Sequence, residues 1–208
     1  EPCNMLMEVL YEMVHKVRTK YGDSAKTYFS TIDRILYGTG QGSGGSPFFW
    51  NSTAEVILNG MQKRAKGCRY QSANGETHSE RIEDIFVDDA SLMATGDTQL
   101  TAQERLQDNT QRHERYLHCT GGSLAAHKCF WVVVRYIWED GKAIMEQYRE
   151  EENDESLALT TGQNLSEQHV IKRIPPGKAY RTLGVFVAAT GQQRKQKEVL
   201  QGKSREWC

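Results

Sequence analysis

No stretch of the 208 residues approaches the roughly 18 consecutive apolar positions that a membrane-spanning helix requires. The N-terminus carries neither a basic start nor an apolar signal core, so the expectation is an intracellular chain, neither secreted nor membrane-bound. Paired cysteine motifs are also missing. Cys3, Cys68, Cys119, Cys129 and Cys208 are odd in number and show no CxxC spacing, which argues against a disulfide framework or a zinc ribbon and for a reducing compartment. His118, Cys119, His127 and Cys129 can be drawn as a zinc set, but their spacing matches no common structural site; four unrelated residues flanking a turn is the simpler reading. An excess of either charge is absent, with 26 basic and 27 acidic residues giving a net charge of −1. Nucleic acid would therefore have to be held by locally sorted charge, without a long-range field.

Some sorting is visible. Acidic side chains crowd at Glu150, Glu151, Glu152, Asp154 and Glu155, and basic ones at Arg194, Lys195, Lys197, Lys203 and Arg205; each run is ordinarily a solvated surface. Apolar residues at 38% and charged residues at 25% suit a folded, somewhat polar chain rather than a disordered one. Asn51-Ser52-Thr53 and Asn164-Leu165-Ser166 match the glycosylation pattern, by chance in a chain with no export signal. The first residue is Glu1, not methionine, and the expectation drawn from it is a truncated chain.

Apolar positions Leu6, Val9, Leu10, Met13, Val14 and Val17 recur at intervals of three and four, which predicts an amphipathic helix over 3–21 ended by Gly22. A short extended piece over 32–37 leads into a glycine-rich segment, 38–47, where the backbone is free to take positive φ and to approach another molecule. Ser46 as N-cap and Pro47 in the first turn open a buried helix to about Lys66. Asn74-Gly75 marks a turn, and 82–87 with 90–94 read as two strands joined around Asp88-Asp89. A helix with a weak apolar stripe is predicted over 98–118, and a hairpin over 130–145 turning at Glu139-Asp140-Gly141-Lys142. Segments 170–174 and 179–187 read as strands separated by Pro175-Pro176-Gly177.

Phe86-Val87-Asp88-Asp89 carries the chemistry. Adjacent carboxylates at a hairpin tip form a compact hard-oxygen site for Mg²⁺, with Mn²⁺ as an alternative. Two such ions can activate a 3′-hydroxyl and stabilise departing pyrophosphate. An Asp pair at a turn is also ordinary solvated turn chemistry, so the tetrapeptide alone does not decide. The glycine-rich segment lies about 45 residues upstream, and with it the order of motifs becomes specific. Segments 38–47, 86–89, 121–129 and 181–185 occur in series.

In these four segments the chain resembles the reverse transcriptases of retrotransposons. Their polymerase palm carries a GxxQGxxxSP-like segment, a [YF]xDD turn, a lysine-bearing turn and a strand containing Leu-Gly. The resemblance implies an α+β fold with a palm-like antiparallel sheet backed by helices. Asp88 and Asp89 would bind catalytic metal, Gln41, Gly42, Ser46, Pro47 and Phe86 would line the nucleotide and template contact, and Lys128 would approach the triphosphate. Leu183 and Gly184 would hold the primer end. The implied partners are an RNA template, a DNA primer and deoxynucleoside triphosphates.

The division expected on this basis is a palm core over 1–145, an acidic linker over 146–156, a palm continuation over 157–190 and a basic tail over 191–208. In the resembled enzymes the first catalytic carboxylate lies before the glycine-rich segment and is separated from it by a helix. The helix predicted over 3–21 corresponds to that connector, so the expectation is a palm without its first carboxylate, fingers or thumb, whose missing regions belong to the parent polypeptide and which is not active alone. Asp33 stands too close to Gln41 to replace it, and Glu83 and Asp84 read as ordinary strand residues. Three rival readings are a catalytically inactive nucleic-acid-binding remnant, a metal-dependent hydrolase built on Asp88 and Asp89, and a truncated frame that folds poorly.

Overall fold

The computed structural model describes residues 14–29, 31, 46–146, 156–162 and 165–207. The chain divides into two units, Glu1–Thr53 and Ala54–Cys208. In the first, β1 (Val14–Thr19) and β2 (Gly22–Phe29) form an antiparallel hairpin. This corrects the helix predicted over 3–21, of which 3–13 lie outside the described residues. Between the pairs Lys16–Thr27 and Arg18–Asp23 the register shifts, so that β2 bulges with residues 24–26 opposite Val17, whose N–H is taken up by Ser24 Oγ at 3.1 Å. Val14, Val17 and Thr19 are β-branched, so with a partner strand available the extended form satisfies their backbone better than a helix. At the turn Arg18 grips Asp23 through two bonds of 2.7 and 3.1 Å, which raises the arginine's pKa and lowers the aspartate's.

Helix α1 (Ser46–Arg64) crosses from one unit to the next. Pro47 sits in its first turn, where a missing N–H breaks no helical bond. Ile57 and Met61, spaced for one helix face, are buried with Ile82 in a cluster that Ala65, Ile85, Leu92, Tyr116 and Leu117 complete. Gly60 is required here because a Cβ would come within 2.8 Å of the Tyr116 ring. The phenol hydroxyl in turn donates to the Gly60 carbonyl at 3.3 Å.

β3 (Cys68–Gln71) and β4 (His78–Arg81) form a hairpin around the Asn74-Gly75 turn, and β5 (Glu83–Phe86) and β6 (Asp89–Leu92) form the next. Helix α2 (Gln99–Cys119) follows, capped by the Thr98 side chain, which accepts the Thr101 N–H at 3.1 Å. Its buried residues are Asn109, Thr110, His113 and Glu114, which explains why the apolar stripe is weak. This helix buries a polar face.

A second core gathers Ala126, Trp131, Leu157, Leu159 and Ile171. The three-stranded sheet beneath it runs β10 (Ser156–Thr161), β11 (Glu167–Arg173), β7 (Phe130–Trp131), with β10 antiparallel and β7 parallel to β11. β8 (Tyr136–Glu139) and β9 (Lys142–Met145) turn at Asp140-Gly141 as predicted, but the run expected as one strand over 130–138 is broken, since Phe130–Trp131 forms β7 and pairs with β11 instead. The expected strand over 179–187 is instead a hairpin, β12 (Tyr180–Thr182) and β13 (Val185–Val187). The basic tail forms helix α3 (Arg194–Trp207), tied to β13 by Gln196 Oε1 accepting the Phe186 N–H at 2.8 Å.

The chain is therefore α+β. Its described strands are spread over six small sheets, five of them two-stranded, where one continuous antiparallel sheet was expected. β10 begins at Ser156, the last residue assigned to the acidic linker, and 147–155 lie outside the described residues.

Candidate functional site

The acidic tetrapeptide lies on the β5–β6 hairpin. Ile82 is buried, and its carbonyl accepts the Met93 N–H at 2.7 Å, so the ladder continues past the strand ends. Opposite pairs are Glu83 with Leu92, Asp84 with Ser91, Ile85 with Ala90 and Phe86 with Asp89. Residues paired in this way share a face. Glu83, Ile85, Ala90 and Leu92 therefore face inward, whereas Asp84, Phe86 and Asp89 face solvent.

The turn is a two-residue connection made by Val87 and Asp88, not by Asp88 and Asp89 as the sequence suggested; Asp89 is the first residue of β6. Val87 takes φ 56°. Positive φ at the first turn residue is the geometry that matches hairpin twist and normally selects glycine. A β-branched residue there stores strain of about 1–3 kcal/mol. The result is a sharp tip on which Phe86, Val87, Asp88 and Asp89 are all exposed.

Asp23, Asp84 and Asp108 are each committed to an arginine, namely Arg18, Arg81 and Arg112. Asp84 bonds Arg81 at 2.7 Å, and the contact holds the guanidinium's pKa above its ordinary value. Among the described residues no ion pair engages Asp88 or Asp89. Two adjacent oxygen donors are thus left for a hard cation.

Lys128 ends a 3₁₀ turn, Ala126–Lys128, beyond α2, and its side chain is exposed. The segment leading to it is held from below. Gly121 takes φ 84° at the helix end, a conformation suited to glycine, with its N–H on the His118 carbonyl at 3.0 Å. The Glu114 carboxylate accepts the Leu124 N–H at 2.7 Å and the Ser123 hydroxyl at 3.2 Å. No hydrogen bond or ion pair among the described residues joins Lys128 to Asp88 or Asp89.

Gln41 and Gly42 lie outside the described residues, as does Asp33. Ser46 and Pro47 open α1. Leu183 and Gly184 are the tip of the β12–β13 hairpin at φ 49° and 82°, the Leu183 side chain exposed, instead of strand residues. A two-residue turn with both φ positive needs at least one residue without Cβ strain, which Gly184 supplies. His118, Cys119, His127 and Cys129 do not converge; among the described residues no three or more His, Cys, Asp or Glu side chains gather as for a metal ion. Burial, and then the Glu114 charge, push the Cys129 thiol pKa up, and burial alone raises that of Cys68.

A further polar group went unread in the sequence. Glu83, at the root of the acidic hairpin, is buried against His113 of α2, with Oε2 2.8 Å from Nδ1. Its Oε1 has no hydrogen-bond partner among the described residues. Asn109 Nδ2 donates to the carbonyls of Lys66 at 2.9 Å and Met93 at 3.3 Å. The spacing of Asn109 and His113, one helical turn, was the available signal. A solvated helix face has the same pattern.

No family model, curated protein or solved structure matches the chain.

Proposed function

We propose that the chain contributes the acidic hairpin of a palm-type, RNA-directed DNA polymerase site, in which Asp88 and Asp89 hold Mg²⁺ for nucleotidyl transfer. The observation that carries this reading is Val87 at φ 56° in a two-residue turn, because strain that a glycine would relieve persists where the turn's shape is used. It is supported by the freedom of both carboxylates from arginine partners and by the order of the four motifs in the chain.

When bound, divalent metal lowers the pKa of a primer 3′-hydroxyl and neutralises charge on pyrophosphate. Asp88, in the turn, and Asp89, at the head of β6, supply oxygen ligands from successive residues. Phe86 shares the Asp89 face and offers an exposed ring against a nucleotide base or sugar. Lys128 brings a cation toward the triphosphate, where a positive charge stabilises the leaving group. By the resemblance Gln41, Gly42, Ser46 and Pro47 would take the nucleotide and template contact, and of these the structure describes only Ser46 and Pro47, at the start of α1. Leu183 and Gly184, at an exposed tip, approach the primer. In this reading β5–β6 is the acidic hairpin of the palm, and α1 and α2 are the helices behind it.

The test is a Mn²⁺ titration followed by amide NMR, with primer extension on an RNA template as the activity readout. Paramagnetic broadening is expected to centre on residues 86–90 and to vanish in Asp88→Asn. Asp88→Asn is also expected to abolish any Mg²⁺-dependent incorporation. Broadening scattered over other carboxylates, or unchanged by Asp88→Asn and Asp89→Asn, sinks the reading.

A further inference from the structure

Two hairpins expose aromatic rings, and charge distinguishes them. On β8–β9, exposed Tyr136 and Trp138 stand beside Glu139, Asp140 and Lys142, so acid outweighs base. On β1–β2, residues 14–29 carry Lys16, Arg18, Lys20 and Lys26 against Asp23 as the one acid, in a chain whose net charge is −1. This is the locally sorted charge that a polyanion needs in a molecule with no net field. Asp23 is bound by Arg18 through both carboxylate oxygens, which leaves the charge of three lysines. Among the described residues none of Lys16, Lys20 and Lys26 enters an ion pair.

Register sorts the side chains of this ribbon. Within residues 14–29 His15 and Ser24 are half-buried and all the others are exposed. Val14, Lys16 and Arg18 alternate onto one face of β1, and Phe29 lies opposite Val14. The exposed Phe29 ring and the Lys16 ammonium therefore share a face, roughly 7 Å apart along the strands. Lys20 and Tyr21 make the turn at the other end, with Lys20 Nζ 4.9 Å from the centroid of a Tyr21 ring that is 87% exposed. The turn is fixed from both sides by the Arg18–Asp23 pair and by the Thr19 hydroxyl, which donates to the Gly22 carbonyl at 3.3 Å and accepts the Tyr21 N–H at 3.2 Å. Five residues of β1, roughly 17 Å, separate the two ring-and-cation pairs.

We infer that the β1–β2 hairpin is a binding ribbon for single-stranded nucleic acid, on which Phe29 and Tyr21 stack bases while Lys16, Lys20 and Lys26 meet phosphates. Rings interleaved with unpaired cations match a strand whose base faces are open. A duplex keeps those faces in its own stack, and an acidic peptide brings carboxylates without flat rings to lay on Phe29 and Tyr21. Stacking is available to every base, so RNA and DNA strands are both taken and sequence is read weakly. The inference rests on charge and exposed rings and does not depend on the polymerase reading.

The experiment follows the fluorescence anisotropy of a labelled oligouridylate of about 15 nucleotides with the full chain in EDTA, over a salt series, and amide NMR on the same samples. Wild type is expected to bind with a Kd that rises with salt, its shift changes concentrated over residues 14–29. Tyr21→Ala and Phe29→Ala should each weaken binding about tenfold. Lys16→Gln/Lys20→Gln/Lys26→Gln should flatten the plot of log Kd against log salt by about two. Should Phe29→Ala lose the hairpin's amide pattern, Tyr21→Ala and the lysine variant, which change exposed side chains, decide. A single-stranded DNA is expected to compete, and duplex RNA and polyglutamate to compete poorly. Binding without salt dependence, shifts centred on another basic segment such as 194–207, duplex or polyglutamate held as tightly as the single strand, or ring and lysine variants that bind as wild type does would each overturn the inference. Because the assay holds no divalent metal, strand binding without Mn²⁺ broadening at residues 86–90 keeps this ribbon and sinks the acidic-hairpin reading, and the converse result does the reverse.

Discussion

Glu83 and Asp88 stand on one hairpin, and solvent divides them. Glu83 is buried at the root, bonded to His113. Asp88 and its neighbour Asp89 are exposed at the tip, and no cation among the described residues is paired to them. The inward carboxylate is committed to holding α2 against β5, while the outward pair is free for a ligand. A buried acid beside a helix is expensive to leave alone, since a charge taken out of water must be matched or neutralised. An exposed acid costs the fold almost nothing. Strain at Val87 belongs to the tip, and an orphaned oxygen, Glu83 Oε1, to the root.

The contrast is sharpest if the root is broken. His113→Leu leaves Glu83 buried without its partner and is expected to destabilise the chain by about 3–5 kcal/mol, read as a drop in the urea midpoint. Glu83→Leu/His113→Leu should recover most of that loss. A cost for the single variant no larger than that of a surface substitution would show that the two ends of the hairpin do not differ as described. Glu114→Ala strands the Leu124 N–H and the Ser123 hydroxyl and should cost about 1–3 kcal/mol, with faster hydrogen exchange over 121–128 as its local signature.

At the tip the sign reverses. Val87→Gly relieves the positive φ and should raise stability by about 1 kcal/mol, while the loosened turn weakens the Mn²⁺ broadening at residues 86–90. A Val87→Gly that destabilises would mean the turn is not strained. Asp88→Asn should move stability by less than about 0.5 kcal/mol while removing metal binding, so the same experiment separates fold from function. The smallest effect is on a thiol. Burial and the Glu114 charge together hold the Cys129 pKa up, so Glu114→Gln should speed its alkylation by about twofold, with exposed Cys119 as the internal reference.

Much of the local structure was legible. α2, Gln99–Cys119, lies within a residue of the 98–118 predicted, and the β5–β6 and β8–β9 hairpins follow from short β-prone runs around turn residues. The β1–β2 hairpin was misread because Val14 and Val17 fit a helical stripe as well as a strand. β10 was missed because it adjoins the acidic run and only two leucines, Leu157 and Leu159, mark its inward face. The break at Leu183-Gly184 was missed because a leucine at positive φ is not what a turn normally uses. Motif order singles out Asp88, Asp89 and Lys128 as an expectation, and Gln41 and Gly42 lie outside the described residues.

By itself the sequence determined roughly where α1 and α2 begin and end, that β8–β9 turns at Asp140-Gly141, and that Asp88 and Asp89 lie at or beside a hairpin turn. These depend on backbone preferences and contacts a few residues apart. Tertiary structure alone decided that α2 would bury Asn109, His113 and Glu114, that Glu83 would be sealed while Asp88 stayed in water, and that Gln107 and Gln111 would close the β10 edge. A polar side chain on a helix carries the same local signal whether it faces solvent or an unpaired backbone group. Only the element brought beside it, from 30 residues away for Glu83 and His113 and about 50 for the glutamines, determines which hydrogen bonds it must satisfy.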